Sequence, residues 1–219
     1  DATVTIDGGN SHVIKNIENV IGTAINDTIS GDVGNNTLIG VAGADTIRGT
    51  AGNNVIYGDN KDGSETNSAS NNDLIYAGTG DDTIYAGGGN DTIWAGSGTS
   101  IIKTGSGNDV IYGGSGIENI DAGSGNDTIY ASAGNDIIDG ADDSDIVDYS
   151  ASSTGITVTL ANDGALTSLN HNIGGDFTDS LTNIEGIKGS STVSNTLTGN
   201  NMNNTLIGGS QADIIKGIS

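Results

Sequence analysis

"GGGNDTIWAGSG", residues 87–98, holds a glycine run, an Asn-Asp pair, one isolated apolar residue (Ile93) and then a second glycine run. Its close variants stand nearby: "GTGDDTIYAG" (78–87), "GSGNDVIYGG" (105–114) and "GSGNDTIYAS" (123–132). Working outward, Asp91 belongs to a series in which Asp or a stand-in returns every nine residues. Asp27, Asn36, Asp45 and Asn54 come first, then, after ten extra residues "GDNKDGSETN" (58–67), Asp73, Asp82, Asp91, Ser100, Asp109, Glu118, Asp127, Asp136 and Asp145. Two positions after each stands a large aliphatic side chain, from Ile29 to Val147. A fixed period of this kind is the mark of a repeat architecture. Disordered acidic chains keep no such phase.

Nine residues accommodate a three-residue strand, x-Ile-x, and a six-residue turn. Strand side chains alternate, so the middle one points inward and its neighbours outward. Glycine supplies turn conformations with positive φ and lets carbonyl groups approach without a Cβ in the way. Two such units close one coil of a flattened parallel solenoid, and residues eighteen apart then stack about 4.8 Å from one another.

Composition defines what this solenoid lacks. Among 219 residues there are 37 Gly, no Pro and no Cys, and 28 acidic residues face 6 basic ones for a net charge of -22. Such a chain repels nucleic acid and anionic membrane surfaces. Without cysteine it has neither disulfides nor thiolate metal sites, and no stretch is apolar enough for a membrane-spanning helix. One Ile per nine ordered residues is too little apolar burial to offset the chain entropy. Stacked aspartates add repulsion of about 1 kcal/mol per neighbouring pair even in water. A hard divalent cation with oxygen ligands answers both deficits, and Asp carboxylates with turn carbonyls suit calcium.

The phrases "AGTGDDTIY" (77–85), "AGGGNDTIW" (86–94), "TGSGNDVIY" (104–112) and "AGSGNDTIY" (122–130) resemble the nonapeptide of the RTX (repeats-in-toxin, haemolysin-type) calcium-binding proteins, G-G-x-G-x-D-x-U-x, where U is a large apolar residue. The resemblance implies an all-β, right-handed parallel β-roll with calcium ions between its turns. It implies carboxylate ligands at Asp73, Asp91, Asp109, Asp127 and Asp145 on one edge and at Asp82 and Asp136 on the other, with Asp27, Asp45, Glu118 and the terminal Asp213 as further candidates. Carbonyl ligands would come from Gly78, Gly80, Gly87, Gly89, Gly96, Gly98, Gly105, Gly107, Gly114, Gly116, Gly123 and Gly125. It also implies a secreted protein, kept unfolded in a calcium-poor cytosol, passed through a type I secretion channel and folded by extracellular calcium.

The ladder can be sorted further. If the ten extra residues are a bulge within one turn, alternate repeats place Asp27, Asp45, Asp73, Asp91, Asp109, Asp127 and Asp145 on one edge, all aspartate. The other edge then reads Asn36, Asn54, Asp82, Ser100, Glu118, Asp136. Counted as a full repeat, the insertion would leave both rows mixed, so the bulge is preferred. The expected roll is asymmetric, with one near-continuous calcium row and one depleted around Asn54 and Ser100. The bulge itself holds Asp59, Asp62 and Glu65, read as a solvated acidic loop, with an extra calcium site as the alternative. By the same parity Tyr76, Trp94, Tyr112 and Tyr130 share one outward face. Two readings of that strip stand open: a polysaccharide-stacking surface, or a ladder that stabilises the sheet.

A longer period overlies the short one. "IENVIGTAINDTISGDVGNNTLIGVAGADTIRG" (17–49) returns as "IEGIKGSSTVSNTLTGNNMNNTLIGGSQADIIKG" (184–217). The expected organisation is a lead-in over 1–21, the roll over 22–149, a linking and widening segment over 150–189, and a second array from 190 to 219. In the linker, Ile156, Val158 and Leu160 suggest a longer strand, while Leu166, Leu169, Ile173 and Phe177 suggest a cap. His12 and His171 belong to no hydrolase or zinc motif, and the repeat register accounts for one member of each acid pair, Asp81-Asp82 and Asp142-Asp143. A non-catalytic, calcium-binding structural segment of a large surface protein is expected, with neighbouring copies as partners. The alternative is an accessory module of a secreted enzyme.

Overall fold

The computed structural model describes residues 3–5, 17–61, 71–162 and 165–218. His12, Asp62 and Glu65 lie outside them, as does most of the lead-in. Among the described residues there are twenty-two short strands and no helix, wound into a solenoid of about ten turns. One sheet stacks β1 (Thr3–Thr5), β2 (Asn19–Ile21), β4 (Thr37–Val41), β6 (Val55–Asp59), β8 (Thr83–Gly88), β10 (Ser100–Ser106), β12 (Glu118–Asp121), β14 (Ile137–Asp139), β18 (Asp176–Thr182) and β17 (Thr167–Asn172). The facing sheet stacks β3 (Thr28–Ser30), β5 (Thr46–Arg48), β7 (Leu74–Tyr76), β9 (Thr92–Trp94), β11 (Val110–Tyr112), β13 (Thr128–Tyr130), β15 (Ile146–Asp148), β19 (Gly186–Lys188) and β21 (Thr205–Ile207). A third holds β16 (Thr157–Thr159), β20 (Thr196–Thr198) and β22 (Ile214–Lys216). Successive coils pair in parallel, as in Val110–Tyr112 against Thr92–Trp94 on one side and Thr128–Tyr130 on the other.

Each strand is short because its glycine-rich turns leave it only three residues. The middle residue enters the core, so Ile47, Ile75, Ile93 and Ile111 are fully buried in one sheet and Leu38, Ile56, Ile84 and Ile102 in the other. The extra residues after β6 do not disturb this phase. Ile47 pairs with Ile75, twenty-eight positions on instead of eighteen, so the insertion is absorbed within one turn as a bulge.

The linker departs from the expected long strand. Ile156, Val158 and Leu160 are buried, but β16 covers only Thr157–Thr159 and continues into the third sheet against β20. β17 and β18 form an antiparallel hairpin whose second strand takes the coil position above β14, Ile138 opposite Leu181. Leu169 enters the core and Ile173 packs against it, whereas Leu166, expected in the cap, is 61% exposed. In β17 the buried parity belongs to Thr167, Leu169 and His171, which leaves Leu166 just outside the strand and facing water.

Candidate calcium ladder

The turn begins with glycines because backbone packs on backbone there. At Gly87 and Gly89 φ is +115° and +125°, a region closed to most L-residues. A Cβ on Gly89 would strike the carbonyl of Asn71 in the coil below. Of the twelve glycines expected to serve calcium, Gly114 and Gly116 alone lack positive φ, and theirs is the turn that carries Glu118 in place of aspartate. The carbonyls of Gly78, Gly96, Gly105 and Gly123 accept backbone N–H groups of Ser97, Ser115, Ser124 and Asp142 from the next coil. Those of Gly80, Gly89, Gly98, Gly107 and Gly116 occupy the space that a Cβ on the matching glycine one coil on would need.

The aspartate row runs as a hydrogen-bonded ladder. Asp27 N–H donates to Asp45 Oδ1, Asp45 to Asp73, Asp73 to Asp91, Asp91 to Asp109 and Asp109 to Asp127, each at 2.7 Å. Asp127 N–H reaches Asp145 Oδ1 at 2.8 Å. One carboxylate oxygen of each ladder residue is thus spent on fixing the coil below. A counter-ladder stands one residue earlier: Asn90 N–H donates to Asn72 Oδ1, Asn108 to Asn90 and Asn126 to Asn108, each at 2.7 Å, in the opposite direction along the stack.

The second oxygen of the aspartate defines the site. Oδ2 of Asp45, Asp73, Asp82, Asp91, Asp109, Asp127 and Asp145 is buried with no hydrogen-bond partner. A buried, unpaired carboxylate oxygen is costly unless a cation meets it. Its surroundings are other oxygens: a Cβ on Gly58 would meet both Asp73 Oδ2 and the carbonyl of Ala86. Burial, reinforced by charge from neighbouring acids, raises Asp73 to about 9, Asp91 and Asp145 to about 8, Asp45 and Asp127 to about 7 and Asp82 to about 6. Burial also raises Asp109. Among the described residues no three acidic or histidine side chains converge on one point. An ion here would therefore be shared between carboxylate and backbone oxygens, a donor set that fits calcium.

The other edge is irregular, as expected. Asn54 N–H donates to Asp82 Oδ1 at 2.7 Å. Ser100 is too short to continue the ladder; its N–H donates to Ile117 O, and its hydroxyl is buried and unpartnered. Glu118 Oε2 accepts Gly114 N–H (3.2 Å) and the Ser132 hydroxyl (3.2 Å), leaving Oε1 unpartnered. Burial raises both Glu118 and Asp136, the latter to about 7. Asp27 differs from the rest of its row, since its Oδ2 accepts Thr23 N–H at 2.7 Å. Asp213 immediately precedes β22, receives Asn195 N–H at 2.7 Å and the Asn195 amide at 2.8 Å, and is held below the usual carboxylate range by those bonds.

Two ladder members escaped the nonapeptide register. Glu185 Oε2 accepts Asp145 N–H (3.0 Å) and Asp179 Oδ1 accepts Asp136 N–H (2.9 Å). Asp179 is fully buried. Its Oδ2 accepts the Tyr149 hydroxyl at 2.8 Å, and His171 Nε2 stands 3.1 Å away, off the line of a good hydrogen bond.

The aromatic strip is stacked in register. Ring centroids are 4.6 Å apart for Tyr76–Trp94, 5.0 Å for Trp94–Tyr112 and 4.6 Å for Tyr112–Tyr130, with planes within 8° of parallel. Arg48 covers the outer face of Tyr76, 5.1 Å from its centroid. Beyond Tyr130 the column continues as Asp148 and Lys188, paired at 2.9 Å. The inner ring faces are spent on one another and the strip shows solvent its edges. That geometry suits a stabilising ladder rather than a platform for sugar rings. A second stack, Tyr57–Tyr85 at 5.0 Å, stands on the opposite sheet.

A row of buried carboxylates, each with one unpaired oxygen facing turn backbone, defines a cation-binding parallel β-roll. The family model for the RTX calcium-binding nonapeptide repeat matches residues 39–60, 69–102, 94–116, 112–147 and 192–217, more than half of the chain, and the chain belongs to that family. No match is found among curated proteins. The chain is thus a calcium-binding β-roll module of a kind typical of secreted proteins.

Proposed function

We propose that this module is a structural segment of a large exported surface protein, an adhesin, surface-layer or fibre-forming array, that folds when calcium meets it outside the cell. The observation that carries the proposal is the set of seven buried, unpartnered aspartate oxygens. Calcium would supply the positive charge that lets these carboxylates stay ionised inside the roll. Asp73, Asp91, Asp109, Asp127 and Asp145 hold the coils in register through Oδ1 and offer Oδ2 to the ion. Binding and folding are then one event, because the oxygens converge only when the coils are stacked. A structural rather than catalytic part agrees with His171 being buried against Asp179 and Tyr149. The ring stacking of the aromatic strip favours this reading over a sugar-binding accessory module.

Circular dichroism during a calcium titration tests the proposal. The chain in EDTA should show little sheet signal at pH 7.5 and gain it cooperatively as calcium approaches about 10⁻⁴–10⁻³ M, the range of extracellular modules. Sheet content and melting temperature unchanged by EDTA would refute it.

A further inference from the structure

The roll contains two kinds of turn that differ at a single side-chain atom. At Asp45, Asp73, Asp82, Asp91, Asp109, Asp127 and Asp145, one oxygen takes an N–H from the coil below and the other is left without a donor. At Asn54, Oδ1 accepts Asn36 N–H at 3.0 Å, so the remaining branch must be the amide nitrogen. That nitrogen donates to two carbonyls of its own turn, Gly52 O at 3.0 Å and Ala51 O at 3.3 Å. Asn195, just before β20 of the third sheet, repeats the arrangement with one addition: Oδ1 accepts the N–H groups of Ile156 and Ser190, both at 2.9 Å, and Nδ2 donates to Ser190 O and Val193 O, both at 3.0 Å, and to Asp213 Oδ1 at 2.8 Å.

We infer that asparagine at the ladder position builds an ion-free turn, its amide bonding the turn carbonyls that a cation would otherwise draw on, and that calcium is thereby confined to the aspartate turns between Asp45 and Asp145. The inference rests on the calcium reading above. An aspartate oxygen brings negative charge and can only accept. The amide of the same shape brings two N–H donors and no charge, so carbonyl lone pairs are satisfied and no anion remains to be neutralised.

Four further turns outside that block are closed too. Asn36 Oδ1 accepts Asp32 N–H at 2.9 Å, and Asn204 bonds Asn200 in both directions, at 2.8 and 2.9 Å. Asp27 Oδ2 has the Thr23 N–H and hydroxyl, and Asp179 Oδ2 has the Tyr149 hydroxyl. Room for the inward head group comes from glycine five residues earlier: a Cβ on Gly49, Gly31 or Gly199 would strike the head of Asn54, Asn36 or Asn204. Closed turns therefore stand at 27, 36 and 54 and again at 179, 195 and 204. From Asp73 to Asp145 every turn on the aspartate edge is open.

Calcium stoichiometry by equilibrium dialysis tests this on the whole chain, with melting curves in calcium and in EDTA, the EDTA samples carrying enough sucrose or trimethylamine N-oxide for the metal-free parent to hold its sheet. Asn54→Asp should bind one more ion than the parent, melt lower in EDTA and recover in millimolar calcium. Asp91→Asn should bind at least one ion fewer and melt higher in EDTA than the parent. If the parent binds calcium but Asn54→Asp takes up no further ion, the inference is overturned while the calcium reading stands. An Asp91→Asn protein that melts no higher in EDTA overturns it as well, even where Asn54→Asp fails to fold. A parent that binds no calcium overturns the function instead.

Discussion

Asp73 shows how one side chain does two opposed things. Its Oδ1 fixes the coil below by accepting the Asp45 N–H, while burial of Oδ2 raises the acid to about 9. In the metal-free state the fold thus favours the protonated form of Asp73, Asp91, Asp145, Asp45 and Asp127. The folded value lies above the unfolded one, about 3.9. The ionised carboxylate therefore opposes folding above the folded value, and that opposition fades as pH falls toward about 4. In EDTA, sheet content by circular dichroism should rise as pH is lowered from 9 to 5. With saturating calcium the trend should reverse, since binding requires the carboxylates deprotonated. A metal-free chain that loses sheet on acidification over that range would contradict the ladder chemistry. Nine-residue spacing made Asp91 and its row legible from sequence. Asp179 and Glu185 were not, because the linker carries them in at forty-three and forty residues from their ladder neighbours Asp136 and Asp145.

At the scale of the element, the three-residue strand draws its stability from its neighbours. Ile111 lies in β11 between Ile93 and Ile129, is fully buried, and is the only core contribution of its nonapeptide. Ile111→Ala in saturating calcium should cost about 2–5 kcal/mol, as for other buried aliphatic truncations, measurable as a lower denaturation midpoint. A loss under about 0.5 kcal/mol, the usual range for surface changes, would mean that this core is not packed as described. The strand and turn alternation was readable because one Ile per nine residues can satisfy only a x-Ile-x strand. The β17–β18 hairpin was not. Leu166 and Leu169 are both apolar and differ in parity, and only the docking of β18 on β14 selects the face of Thr167, Leu169 and His171.

Over the whole molecule, the described residues leave strand edges unpaired. β21 and β22 are edge strands, and Ile215, which pairs with the core residue Leu197, is itself 51% exposed. Exposed strand edges invite pairing with further strands. If the module serves the fibre-forming role and copies pair through such edges, sedimentation in millimolar calcium should show species larger than the monomer, and Ile215→Asp should return them to monomer. A monomer alone at all concentrations would remove assembly from the proposal. By itself the sequence determined the period, the inward Ile row, the parity of the two edges across the insertion and the chemistry of the ion, because a strict nine-residue phase admits one side-chain direction per position. Only the tertiary structure decided which carboxylates are left open and which are closed by Thr23, Tyr149 or an asparagine amide, and that the aromatic faces are spent on each other. Those outcomes depend on contacts between coils eighteen or more residues apart, where local sequence does not record which oxygen finds a donor.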